Sequence, residues 1–229
     1  MRSRIEITKP MPLMINDADF NKKLLVIGRN VVHTQDFLDK GVEPFVLPGF
    51  SVSGDYEFVK SRNKHQYRLI ANNADNEKIT VYAVEIKFHT EYVYPRRSCT
   101  QIMVWRTPDP RHDAVVRGLP QRFFEFLLSE HDIVVSDEEQ TGAGRRFWQV
   151  MLTWALSANY NVYIADGTRA TIDSLNWPLY KVSNMDEFYE RWDDYAWGND
   201  LDVHPHRRAV ISKLDLPCSL FEIEEPFDS

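Results

Sequence analysis

The run KITVYAVEIKFHTEYVY, which begins at Lys78, constrains this chain more than any other stretch. Val81, Ala83, Glu85 and Lys87 alternate with Tyr82, Val84, Ile86 and Phe88. That period of two sends successive side chains to opposite faces of a pleated strand, whereas a helical repeat would scatter both sets around its axis. HQYRLIAN lies just upstream, and the Asn/Asp cluster at 72–76 between the two supplies turn residues. TQIMVWRT follows as a third strand and is closed by Pro108, Asp109 and Pro110, because proline donates no hydrogen bond to a ladder. The first half therefore reads as an antiparallel sheet.

From Gly118 the rhythm changes. Pro120 stands where a first helical residue belongs, and QRFFEFLLSE carries Phe123, Phe124, Phe126, Leu127 and Leu128 on a helix. HDIVVSD is a short buried strand. Residues 145–158 form the clearest helix, with Phe147, Trp148, Met151, Trp154, Ala155 and Ala158 at helical spacing, and NVYIADG is another strand. Antiparallel strands followed by helix, strand, helix, strand predict an α+β fold with a mixed central sheet, whose later strands pair in parallel through a crossover.

Elsewhere the patterns are shorter. LLVIG at 24–28 reads as a strand, VVHTQDFLDKG as a helix closed by Gly41, and EPFVLPGFSVSGD as a loop. DEFYERWDDYAW reads as a helix closing the core, and HPHRRAV as part of a charged tail that ends in FEIEEPFDS. The expected organisation is one domain, with an extension over 1–55, a core over 56–182 and a helical, charged extension over 183–229.

Composition narrows the class. A net charge of -7 argues against a broad nucleic-acid-binding face, so no nucleic-acid partner is expected. No apolar stretch approaches the roughly 20 residues of a membrane span, and MRSRIEITKPMPLM lacks the continuous apolar core of a signal peptide. Cys99 and Cys218 alone make no disulfide framework, which fits a reducing, cytoplasmic setting.

The stretch SDEEQTGAGRR carries the functional question. Gly142 and Gly144 fall between the strand at 133–136 and the helix at 145–158. A helix N-terminus leaves amide N–H groups without intrahelical partners and adds positive potential, and glycines let a pyrophosphate approach them. Arg145 and Arg146 add charge at the helix start. There is no G-x-G-x-x-G for a dinucleotide fold and no Gly-Lys-Ser/Thr for a P-loop. From the loop alone, a phosphate cradle and a plain tight turn both remain open.

The order of strand, Gly-x-Gly loop, helix and strand resembles the coenzyme A-binding core of the GNAT acyltransferase superfamily. Residues 118–167, with their Phe-rich helix, Ser-Asp-x-x-Gln-Thr loop and Trp-bearing helix, resemble GNAT-like proteins carried by bacteriophages. The resemblance implies a GNAT-like fold that binds acetyl-CoA or another coenzyme A thioester. The amides from Thr141 through Gly142, Ala143, Gly144, Arg145 and Arg146, with Gln140 beside them, would hold the pyrophosphate. The carbonyls of Val134, Val135 and Ser136 would pair with the pantetheine arm, where the strands at 133–136 and 162–165 splay apart. The sequence departs from the superfamily pattern at Glu139, where Gln or Arg is expected and where a carboxylate would repel a pyrophosphate.

Acyl transfer to an amine needs a base for the ammonium and an acid for the departing thiolate. Tyr163 and Tyr180 are candidate acids, and Asp137, Glu138, Glu85 and His131 candidate bases. A core aromatic at each tyrosine and an N-cap at Asp137 or Thr141 are the simpler structural roles. His204, Pro205 and His206 lack further ligands at a recognised spacing, so no metal is expected. Two functions follow: an N-acyltransferase acting on an unidentified amine, phage-encoded and working in the host cytoplasm, or a non-catalytic protein of that fold serving as a virion component or a binder of a host protein.

Overall fold

The structure, a computed structural model, describes residues 13–14, 19–52, 54–89, 97–135, 139–140, 142–169, 177–197 and 207–218. Among them the order is β1 (Leu13–Met14), α1 (Asp19–Leu25), α2 (Ile27–Asp39), β2 (Val42–Pro44), β3 (Tyr56–Ser61), β4 (Gln66–Asn72), β5 (Lys78–His89) and β6 (Ser98–Arg106). There follow α3 (Asp113–Val116), α4 (Leu119–Leu128), β7 (Asp132–Val135), β8 (Glu139–Gln140), α5 (Gly142–Ser157), β9 (Asn161–Asp166) and β10 (Leu179–Val182). Last come α6 (Met185–Glu187), α7 (Asp193–Ala196) and β11 (Arg207–Ser212), with one π-helical turn, Phe188–Trp192, joining α6 to α7.

Nine strands form one open mixed sheet in the order β10-β9-β11-β7-β6-β5-β4-β3-β2. From β2 to β6 every neighbour is antiparallel, as the period-two runs predict. The turn between β4 and β5 closes on Asn73, whose side-chain oxygen accepts from the amides of Asp75 and Glu77, and Asn76 takes the left-handed conformation that asparagine tolerates. β6 and β7 make the parallel pair, joined by the segment that carries α3 and α4.

Alternation decides what each face meets. Phe58, Leu69, Tyr82, Val84, Ile133, Val135, Val162, Ile164, Ala209 and Ile211 point to one side, into the main core with Phe123, Phe124 and Leu127 of α4 and Trp148, Met151, Leu152 and Ala155 of α5. On the other side Phe37 of α2 packs on Val59 and Ile70, and Leu24 of α1 on Ala83 and Trp105. Further along that second face, Val134, Tyr163, Ala165, Leu179 and Val210 pack with Leu216 and Trp177. No helix among the described residues is long and apolar enough to cross a membrane.

Three expectations need correction. LLVIG is not a strand: Leu24 and Leu25 end α1, and Ile27 opens α2. A five-residue apolar run does not separate strand from helix by periodicity. RRAV does not belong to a tail: Arg207–Ser212 is β11, fully inside the sheet. For the same reason the strands at 133–135 and 161–166 do not pair with each other. They run in the same direction, but β11 stands between them antiparallel to both, with Ala209 registered on Val135 and on Ile164.

Candidate functional site at the carboxyl ends of β6 and β7

The expected slot between 133–136 and 162–165 is thus filled by a strand. The nearest equivalent lies one position over. β6 and β7 are registered only at Ser98–Asp132 and Cys99–Ile133. Beyond these pairs β6 continues against β5 to Arg106, and β7 continues against β11 to Val135. The register of β6 on β5 jumps from Gln101–Ile86 to Met103–Glu85, so Ile102 is an extra residue. Such a bulge bends its strand and sharpens the local twist, and it lies three residues past the last β6–β7 pair.

Two helices start at this end of the sheet, because each returns antiparallel to the strand before it. α4 begins after Gly118, whose φ of +77° is a left-handed conformation that suits glycine. Its N-cap makes no side-chain hydrogen bond, and Pro120 in its first turn has no N–H to satisfy. α5 begins at Gly142. In open sheets ligands favour such a crevice beyond the carboxyl ends of parallel strands, where chain connectivity changes direction.

The residues singled out from sequence distribute unevenly around it. Val134 and Val135 are fully buried on β7, and among the described residues their ladder partners are on β11. Gln140 ends β8, and Gly142 and Ala143 open α5; Ser136, Asp137, Glu138 and Thr141 lie outside the described residues. Glu139 and Gln140 pair in parallel with Leu13 and Met14, so the lead-in to the glycine turn carries a strand partner from the N-terminal region. Gly144 and Arg145 are half-buried in the first turn of α5, and Arg146 is exposed. Arg145 is engaged: its Nη2 donates to Asp193 Oδ2 of α7 at 2.6 Å, and Gln149 Nε2 donates to the other oxygen at 3.3 Å.

The two tyrosines separate cleanly. Tyr163 is on the face away from α5, in the cluster with Val134 and Leu216. Its hydroxyl accepts from the Leu216 amide at 2.9 Å and sits 3.2 Å from the Leu214 carbonyl and from Asp215 Oδ1. Burial is the main reason its phenol is pushed up to about 12. Tyr180 is on the α5 face, stacked on Trp192 with ring centroids 5.6 Å apart, and its hydroxyl meets Arg169. Glu85 is registered on Met103 beside the bulge and accepts from Gln66 at 2.9 Å, on the sheet face that carries α2 rather than α4 and α5. His131 stands at the opposite end, just before β7, against the Phe88 ring at 4.8 Å. His204 and His206 lie outside the described residues, and among the described residues no three His, Cys, Asp or Glu side chains gather to hold a metal.

A constellation that sequence reasoning missed closes the same end of the sheet. Asp166, the last residue of β9, is 0% exposed. It accepts from the Thr168 amide at 2.9 Å, the Thr168 hydroxyl at 2.6 Å and the Tyr195 hydroxyl of α7. Arg207 and Arg169 stand at 3.6 and 3.8 Å from its oxygens. The Arg207 guanidinium lies over the Tyr195 ring and donates to the Tyr195 carbonyl at 2.8 Å. Burial and the adjoining carboxylate push the Tyr195 phenol well above its ordinary value. Asp166 and Tyr195 fell within segments that sequence placed, a strand and a helix, but Arg169 and Arg207 did not, and no local pattern links the four. Buried polar atoms also lack partners on the α4 side: Tyr82 Oη, Gln121 Oε1 in the first turn of α4, and Trp197 Nε1 after α7.

No protein-family model, no curated protein and no solved structure matches this chain.

Proposed function

We propose that the chain is a coenzyme A-dependent N-acyltransferase that takes its ligand at the carboxyl ends of β6 and β7. The observation that carries the reading is the parallel ladder that stops after two pairs, with a bulge on one strand and the first turns of α4 and α5 beside it. A phosphate-bearing thioester fits such a place: first-turn amides and Arg146 face its anionic end, while the unladdered edge of Val134–Val135 offers backbone groups to an extended, amide-containing arm. The orphan Gln121 Oε1 and Tyr82 Oη are polar atoms suited to such an arm.

The thioester supplies the acyl group. The ammonium first loses a proton to a base; its nitrogen then bonds the acyl carbon as the carbon–sulfur bond breaks, the nitrogen sheds its second proton to leave a neutral amide, and the departing thiolate takes a proton from an acid. Of the candidate acids, Tyr180 is on the correct face and Tyr163 is not. Titration calorimetry with acetyl-CoA tests the reading. Saturable heat is expected, and Gly144→Glu, which sets a carboxylate in the first turn of α5, abolishes it. No heat at millimolar ligand would sink the proposal.

A second reading keeps the fold as a non-catalytic scaffold, in a virion component or a binder of a host protein. It is favoured by the commitment of Arg145 to Asp193 and by the β1 partner on the lead-in strand. Recovery of the chain with intact particles or a host protein, together with silence toward acetyl-CoA, is its signature.

A further inference from the structure

The corner between α1 and α2 breaks three local rules at one exposed place. Leu25, Val26 and Ile27 are consecutive and 59%, 52% and 58% exposed, and Val32, further along α2, is 61% exposed. Leu24 beside them is buried against Ala83 and Trp105, so the corner is anchored to the sheet while its neighbours face outward. Val26 stands at the N-cap of α2 in an extended conformation and makes no side-chain hydrogen bond to the helix. Ser, Thr, Asp or Asn at that position accepts from a first-turn amide, and valine cannot. The first turn holds no acidic residue; exposed Arg29 is there instead, against the sign of the helix dipole. Exposed Lys22 and Lys23 lie in the last turn of α1.

Positions that break local rules are where function is expected to override stability. One kind of neighbour relieves all three departures together. An apolar phase takes the aliphatic side chains, and anions at its boundary meet the uncapped first-turn amides, Arg29, Lys22 and Lys23. We propose that the α1–α2 corner docks on an anionic lipid surface, with Leu25, Val26 and Ile27 at the headgroup–acyl boundary and the three cations at the level of the phosphates.

Other occupants fit less well. A second copy of the chain would set the same three cations against themselves across a two-fold axis. A stable protein interface takes about 800 Å² from each partner and depletes lysine at its centre in favour of aromatic residues, whereas this corner offers three aliphatic side chains and no ring. The corner belongs to the sheet face opposite α4 and α5, so docking leaves those helices turned to water. The inference stands apart from the acyltransferase reading, since neither uses the other's residues.

Sedimentation of the full chain with vesicles tests it. Binding is expected to phosphatidylcholine mixed with phosphatidylglycerol and not to phosphatidylcholine alone, and salt weakens it. Lys23→Gln lowers the partition coefficient about fivefold, the worth of one cation near an anionic leaflet. Val26→Ser is the decisive variant, because it restores a cap: the thermal midpoint rises while vesicle binding falls, opposite signs that a purely structural role does not produce. Ile27→Asp abolishes binding with the fold retained by circular dichroism. The proposal is overturned if the chain ignores anionic vesicles, if it pellets equally with neutral ones, or if Val26→Ser raises the midpoint and leaves binding unchanged. Self-association that Ile27→Asp prevents, without vesicle binding, would make the corner a dimer face and overturn it as well.

Discussion

Two guanidinium groups, Arg68 buried beneath α2 and Arg207 half-buried at the edge of the candidate site, are held by opposite means. Arg68 is 1% exposed, and it donates to neutral acceptors: Thr80 Oγ1 and His33 Nδ1 at 3.2 Å, and the His33 carbonyl and Gln66 Oε1 at 3.4 Å. It lies 4.1 Å over the Phe37 ring, and the Glu85 carboxylate, bonded to Gln66, favours its charge without a hydrogen bond to it. Around it Asn30, Thr34 and Thr80 bond one another and the backbone on either side, so α2 is seated by a hydrogen-bond network. Arg207 instead shares the carboxylate of Asp166 with Arg169 and two hydroxyl groups. The first arrangement leaves a cation desolvated, and burial brings the Arg68 pKa down to about 10. In the second arrangement one anion answers two cations, so the whole cluster depends on a single residue.

The largest effect is therefore expected at Asp166. Asp166→Ala strands the half-buried Arg207 and the Tyr195 hydroxyl beside a buried void, and removing one partner of such a cluster costs about 3–5 kcal/mol. Urea unfolding measures it, and a loss below 1 kcal/mol would show that the two arrangements do not differ as described. Arg68→Met sharpens the contrast from the other side. It removes a desolvated charge and keeps the stem's volume, so a change within about 1 kcal/mol of wild type is expected by the same method. If it equals the loss at Asp166, the neutral network is as dependent on charge as the ionic one.

The smallest effect is a pH dependence through His33. Burial, then Arg68 and Lys23, lower its pKa from the ordinary 6.5, while Asp36 opposes them. A histidine more basic when unfolded than when folded contributes stability that is complete above the unfolded value. That stability is lost as pH falls below 6.5 toward the lower folded value. Its ring is only partly buried, so solvent screening keeps the loss under about 1 kcal/mol. Urea midpoints at neutral and mildly acidic pH should show the decline, and Arg68→Met should flatten it by removing the facing cation.

How far the sequence could be read follows from how local each signal is. β4, β5 and β6 declare themselves through alternation over long runs, and α5 through aromatic and aliphatic residues at helical spacing. β11 does not, because its apolar run is only Ala209, Val210 and Ile211, and the burial of Arg208 over Trp177 is decided by tertiary packing. Missing β11 also misplaced the slot, since sequence order suggests that the strand at 132–135 and the strand at 161–166 are neighbours. The glycine turn and its helix were legible. The bulge at Ile102 was not, because it is a property of two strands' register and leaves no mark on one.

The place of β11 has a consequence in time. A strand from residues 207–212 separates two that are made long before it. While the chain is being synthesised, β7 and β9 each wait with an open edge until β11 arrives, and half of the sheet stays unclosed. The antiparallel half can pair from near neighbours, but the second half depends on contacts of long sequence separation and forms slowly. The two halves of one sheet therefore mature on different clocks, and the half that waits is the one beside the candidate site.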